Sequence, residues 1–215
     1  MTVHGEESVT VMDSIRYIVG EESAARHVSE AKSCEDDRVR SLVASAASGN
    51  IEAYGELYST YLDRIYRYVF HQVGNRTTAE DLTQEVFVKA WKGIGKFKRK
   101  GRPFSAWLYR IAHNHVIDYF RTSRQHQSLE VELLADDSDH EQEAEGKQIQ
   151  RLLLEAISCL PQQQKQLIIL KFIEGLDNQE IEQVMHKGQG AIRVMQMRAL
   201  ATLRQRLAGE IDDAG

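Results

Sequence analysis

The chain has 215 residues with 42% hydrophobic side chains, two prolines, two cysteines and a formal charge of −5. That is room for one or two small cored domains. No apolar run approaches the roughly 20 residues needed to span a bilayer, and the N-terminus has no apolar signal-peptide core, so a cytoplasmic location is expected. Cys34 and Cys159 lack metal-ligand spacing and read as incidental or buried thiols of a reducing compartment.

The net charge averages opposed blocks. Residues 1–50 carry a net −4, residues 51–125 a net +6, residues 126–150 a net −7 and residues 151–215 none. The basic block marks a nucleic-acid footprint, and the acidic block that follows it marks a solvated connection.

Residues 1–35 are polar and weakly patterned and are read as a mobile N-terminal extension. Helical periodicity starts at Asp36, with Val39, Leu42, Val43 and Ala46 on one face and Gly49-Asn50 as a stop. A second helix is predicted from about Ile51 to Val73, ended by Gly74-Asn75. A third begins at Thr77, where Thr78 with Asp81, or Thr77 with Glu80, fits a capping box. Leu82, Val86, Phe87, Ala90, Trp91 and Ile94 form its buried stripe. Asp81, Gln84, Glu85 and Val88 share the opposite face. Carboxylates there cannot serve phosphates and suggest a protein partner.

A basic loop follows, with Lys98, Arg99, Lys100 and Arg102, and Pro103 opens a fourth helix where its missing N–H costs nothing. That helix is dense in rings and cations. Trp107, Arg110, His113, Asn114, Arg121 and Arg124 join the loop as candidates for holding a nucleic-acid strand, the cations on phosphates and the rings under unstacked bases. His113 and Asn114 are candidates for a base edge. Trp107, Leu108, Ile111, Val116 and Ile117 also stand at helical spacing, so several belong to a core, and Trp107 fits either role. His113 and His115 are two residues apart on a helix, roughly 200° around it, and so do not chelate one metal ion.

Residues 125–147 form the acidic linker. Beyond it Pro161 opens a helix carrying Leu167, Ile168, Leu170 and Ile173, stopped at Gly175. Asp177 and Glu180 make a second capping box before Ile181, Val184 and Met185. After a turn at His186-Lys187-Gly188, a long helix runs from about Gln189 to Leu207. Short helix, tight turn and longer helix make a helix-turn-helix, whose second helix reads the major groove. Gln189, Arg193 and Gln196 are the base-edge candidates, with Met197 outward beside them, and Lys187 and Arg198 are the phosphate candidates. With no strand pattern anywhere, the fold class is all-α: two small helical domains joined by a flexible acidic linker.

These motifs, in this order, resemble the extracytoplasmic-function (ECF) group of bacterial RNA polymerase sigma factors, within the sigma-70 family. The stretch from Ala79 to Trp91 looks like region 2.2. Phe104 to Ala112, with Asn114, Asp118 and Arg121, looks like regions 2.3 and 2.4. Leu160-Pro161, Gly175-Leu176, Glu180-Ile181, Gly190 to Arg193 and Arg198 to Leu200 look like region 4. The resemblance implies region 2 over 36–124, region 4 over 148–207 and a tail over 208–215. It implies that Asp81, Gln84, Glu85 and Val88 meet the β′ coiled coil of core RNA polymerase, with β as a further contact. Lys98 to Arg124 would melt and read a −10 element, and region 4 a −35 element. It also implies an anti-sigma protein as regulator. The family usually has glycine where this chain has His186 and a Ser or Thr cap where it has Gly188, so the turn is a departure.

Two other classes stay open on the residues alone. A helix-turn-helix activator would bind duplex DNA without being a polymerase subunit, but has no need of a strand-capturing platform. A metal-dependent hydrolase lacks a phosphate loop, a nucleophile motif and a zinc spacing. The expectation is therefore a non-enzymatic protein without catalytic residues, metal or cofactor.

Overall fold

Asparagine starts two of the long helices. Asn50, in extended backbone, accepts a hydrogen bond from the Ala53 amide at 3.0 Å, and Asn75 accepts one from the Thr78 amide at 2.9 Å. Each satisfies an amide that the first turn leaves unpaired, at about 1 kcal/mol apiece. The computed structural model describes residues 28–97, 102–123 and 152–213, with side-chain surroundings for 36–97, 102–122 and 152–207.

The first half is built from α1 (Val28–Ala47), α2 (Ile51–Val73), α3 (Arg76–Ile94) and α4 (Phe104–Ser123). The second is built from α5 (152–158), α6 (Gln162–Ile168), a π turn at Ile169–Ile173, α7 (Asn178–Met185) and α8 (Gln189–Asp213). Among the described residues there is no strand, and the fold is all-α. No helix among them is long and apolar enough to cross a membrane.

Three boundaries and one helix interior differ from the sequence expectation. Helix α1 begins at Val28, inside the predicted extension, because nothing from Val28 to Glu35 is a glycine or proline that would stop it. Helix α3 begins at Arg76 rather than at a threonine cap. Gly74, left-handed at φ 71°, ends α2 and hands the chain to Asn75, which takes the capping role first. The helix opened by Pro161 widens before Gly175: the Glu174 amide donates to the Ile169 carbonyl at 3.0 Å and the Leu176 amide to the Leu170 carbonyl at 2.9 Å. Helix α8 continues past Leu207 to Asp213.

In the first half α2 packs against α1, α3 and α4. Its stripe of Ala53, Leu57, Tyr61, Ile65, Tyr68 and Val69 is buried at three- and four-residue spacing. Tyr54 and Tyr58 meet Trp91 and Phe87 with ring centroids 4.8 and 4.6 Å apart. The Tyr54 hydroxyl donates to the Phe87 carbonyl, and burial pushes its pKa up to about 12, so it stays a donor. The second half packs α6 and α7 against α8 around Leu167, Ile168, Ile181, Val184, Ile192, Ala199 and Leu203.

The two halves lie against each other. Helix α7 packs on α4, and the π turn packs on α2. Gln162 Nε2 donates to Gln72 Oε1 at 3.1 Å, and Lys165 Nζ donates to the Gln72 carbonyl at 3.2 Å. Ser105 Oγ reaches Glu180 Oε1 at 3.4 Å. The predicted N-terminal extension before Val28 and the linker 125–147 lie outside the described residues.

Candidate polymerase and nucleic-acid interfaces

Helix α3 separates its residues cleanly. Leu82, Val86, Phe87 and Ala90 are buried, while Asp81, Gln84, Glu85 and Val88 are exposed together on the far side. Val88 keeps 52% of its surface, an apolar side chain amid polar ones. Beside this face His115 of α4 is held between two α3 residues. Lys89 Nζ lies 2.6 Å from His115 Nδ1, which therefore accepts, and His115 Nε2 lies 2.9 Å from Glu85 Oε2 without hydrogen-bond alignment. Partial burial, then Lys89, hold the His115 pKa below its usual value, with Glu85 opposing. The face is thus braced from beneath, with Glu85 still open to solvent.

Where α3 meets α4, Phe97, Phe104 and Trp107 form a ring cluster. Trp107 stands 4.9 Å from Phe97 and 5.5 Å from Phe104 between centroids. Gly93 of α3 makes this possible, since a Cβ there would stand 3.3 Å from the indole. Trp107 is therefore half-buried structure on one edge. Its other edge lines an open groove of about 410 Å³ with Lys89, Lys96, Ile111, Asn114 and Asp118. Cations at the rim, rings on the wall and an amide suit a base and its phosphate.

Arg102, Asn114 and Arg121 are exposed and Arg110 is half-exposed. Arg121 also pairs with Asp118 at 3.1 Å, an exposed i, i+3 contact worth a few tenths of a kcal/mol. Lys98, Arg99, Lys100 and Arg124 lie outside the described residues. His113 departs from its expected role. It is 5% exposed, with Nδ1 3.3 Å from the Tyr68 hydroxyl. Burial first, then the nearby His186 and Lys187, lower its pKa to about 4. Its neutral ring is a core contact and does not reach a base edge in this arrangement.

The helix-turn-helix follows from its local chemistry. Asp177 accepts from the Glu180 amide at 2.8 Å, and Glu180 accepts from the Asp177 amide at 3.0 Å, completing the predicted box. His186 ends α7 in the left-handed region at φ 54°, ψ 40°, where the family uses glycine. Arg193 and Arg198 are exposed, and Lys187, Gln189 and Gln196 are half-buried.

Glu174 has no counterpart in the sequence reading. Its carboxylate is wholly buried between the halves. Tyr109 donates to it at 2.6 Å, Arg67 Nε lies 3.5 Å away and Arg64 Nε 3.9 Å away, while Arg64 Nη2 donates to the Glu174 carbonyl at 3.1 Å. Burial, with the carboxylate next to it, pushes the Tyr109 pKa up, so the phenol remains a donor. One local sign existed: a carboxylate in the last turn of a helix opposes the helix dipole and calls for a partner.

The molecule thus joins a helical bundle, with an exposed acidic face on α3 and a ring-lined groove beside it, to a helix-turn-helix, the make-up of a helical transcription factor. The Sigma-70 region 2 family matches residues 57–126, and the Sigma-70, region 4 family matches residues 150–203. The ECF RNA polymerase sigma factor BldN of Streptomyces coelicolor is 38% identical over 192 residues, 87% of this chain and 72% of the relative. The structure of CnrH in complex with the cytosolic domain of CnrY is 26% identical with a TM-score of 0.61, covering 80% of this chain and 98% of CnrH. The Bartonella quintana sigma factor RpoE, solved in complex with the anti-sigma factor NepR, shares the fold at 20% identity and a TM-score of 0.59, over 72% of this chain and 96% of that one. The chain belongs to the ECF sigma factors.

Proposed function

We propose that this chain, as an ECF sigma factor, docks on core RNA polymerase through Asp81, Gln84, Glu85 and Val88, and opens and reads promoter DNA with the rest of its two helical units. The observation that carries this reading is the division of labour across α3 and α4. An exposed acidic and apolar face on α3 lies beside a ring-lined groove that α3 and α4 share, with His115 between the two. The units run over 36–124 and 148–207. Arg102, Arg110, Asn114, Trp107 and Arg121, with Lys98, Arg99, Lys100 and Arg124, serve the −10 element. Lys187, Arg193 and Arg198, with the flanking Gln189 and Gln196, serve the −35 element. Melting costs about 1.4 kcal/mol per stacking step. Stacking on an aromatic returns about 1–3 kcal/mol per captured base, so a ring-lined groove and several phosphate contacts hold a nucleated bubble once the polymerase adds its share.

The packed arrangement requires one change before both elements are read. Elements 25 positions apart span roughly 85 Å of duplex at 3.4 Å per base pair, whereas here α7 touches α4. The segment 124–151, at about 3.3–3.6 Å per residue, reaches that far when extended. The halves therefore separate on the polymerase, and Glu174 is the contact that opens. An anti-sigma protein, the usual regulator in this family, would act by preventing that separation. No catalytic step, metal or cofactor is assigned.

The test is association. Purified chain mixed with core polymerase is expected to co-elute with it and to direct initiation from a cognate promoter, and Asp81→Arg is expected to weaken that complex while the chain stays folded by circular dichroism. Tight binding to promoter duplex alone, with no association with core enzyme, would instead make it a helix-turn-helix activator.

A further inference from the structure

The outermost line of the recognition helix is apolar. Gly190, Val194, Met197 and Ala201 follow one another on α8 at intervals of four, three and four, and so share a face. All four are exposed, with Val194 keeping 43% and Met197 66% of its surface. Ile192, Ala199 and Leu203 take the opposite face into the core. Arg193 and Arg198, both exposed, flank the line on its two sides, while the amides of Gln189 and Gln196 sit half-buried towards the core.

The fold does not call for this line. Val194 and Met197 project into water at a helix surface that has polar alternatives. Gly190 is stranger still. Glycine weakens a helix relative to alanine, its backbone is not left-handed, and nothing lies within 4 Å of where a Cβ would stand. An alanine would fit and hold the helix better. Bare backbone at a helix N-terminus, in line with two exposed apolar side chains and bracketed by two guanidiniums, matches an approaching surface that is apolar along a strip and anionic on both sides. The major groove is such a surface where thymines occur. The thymine C5-methyl is the apolar group a base pair offers there, and phosphates border it. An apolar protein or lipid face would leave the two arginines without counter-charges.

We infer that Val194 and Met197 read thymine methyl groups of the −35 element, with Gly190 left bare so that the start of α8 comes close to the bases, and Arg193 and Arg198 holding guanine or phosphate beside them. This rests on the sigma reading of α7 and α8 and moves base discrimination from the two glutamines to the apolar line.

The experiment uses the full chain assembled with core polymerase. Duplexes selected from a pool randomised over the −35 window are remade with deoxyuridine for thymine, which deletes only the methyl. Affinity is expected to fall about fourfold for each contacted methyl, the equivalent of one buried CH₂. Val194→Ala with Met197→Ala is expected to bind the thymine duplex more weakly and to lose the sensitivity to deoxyuridine. Gly190→Ala is expected to weaken duplex binding while its Tm stays level or rises. Deoxyuridine duplex bound as tightly as the parent, selected duplexes without thymine, or sensitivity surviving in the double variant would overturn the inference and leave the sigma reading in place. The same holds if the double variant loses core polymerase and keeps its thymine preference. Failure to select any duplex would remove both.

Discussion

Glu174 is a carboxylate that its own helix end disfavours and that the other half of the molecule supplies with partners. Arg64 and Arg67 keep about half of their side-chain surface, so water screens those ion pairs and the Tyr109 bond carries more of the interaction. Glu174→Ala leaves a buried phenol without its acceptor and is expected to cost about 1–3 kcal/mol, read as a lower urea midpoint, with Glu174→Gln losing less. Equal midpoints for all three proteins would show that the contact contributes nothing. Its partners lie 65 to 110 residues away in sequence, so no local pattern reveals them. The dipole mismatch shows only that a partner is needed. Trp107 was ambiguous for a different reason: a ring that packs on Gly93 and a ring that supports a base both stand at helical spacing.

The buried histidines make a second prediction at this scale. Burial, aided by neighbouring cations, lowers the pKa of both His71 and His113 to about 4. The unfolded chain protonates them near 6.5, so between those values it binds more protons than the folded one. Stability is thus fully present above about pH 6.5 and falls as the pH drops towards 4, by at most about 3 kcal/mol per histidine. Urea midpoints are expected to decline from pH 7.5 to pH 5, with a shallower slope in His113→Gln. A slope identical to the parent's would place His113 in water.

Elements were more legible than side chains. The helix from Ile51 to Val73 has the same bounds in sequence and structure, because Asn50 and Gly74 punctuate a clean amphipathic stripe. The box at Asp177 and Glu180 was equally readable. The π turn was not, since in Ile169-Leu170-Lys171-Phe172-Ile173 almost every position is apolar and four- and five-residue spacings look alike. The turn after α7 holds a left-handed backbone at His186, without a glycine. His186→Gly is expected to raise stability by about 1 kcal/mol, a Tm gain of about 2–4 °C in thermal unfolding. An unchanged or lower Tm would mean that the imidazole makes a compensating contact.

At the scale of the whole molecule, charge blocks and periodicity revealed two helical units but not their packing, which rests on contacts such as Gln162 with Gln72 and Glu174 with Tyr109. No periodicity along one helix encodes a docking between two separate units. In the proposed function α3 faces the polymerase while the neighbouring groove captures melted DNA. Permanganate reactivity of thymines in a mapped promoter, with core polymerase and the full chain together, measures that directly. Reactive thymines are expected around the −10 element with the parent chain, and none above background with Asp81→Arg. A duplex that stays unreactive although chain and polymerase are both bound, or a bubble that Asp81→Arg opens as well as the parent, would contradict it.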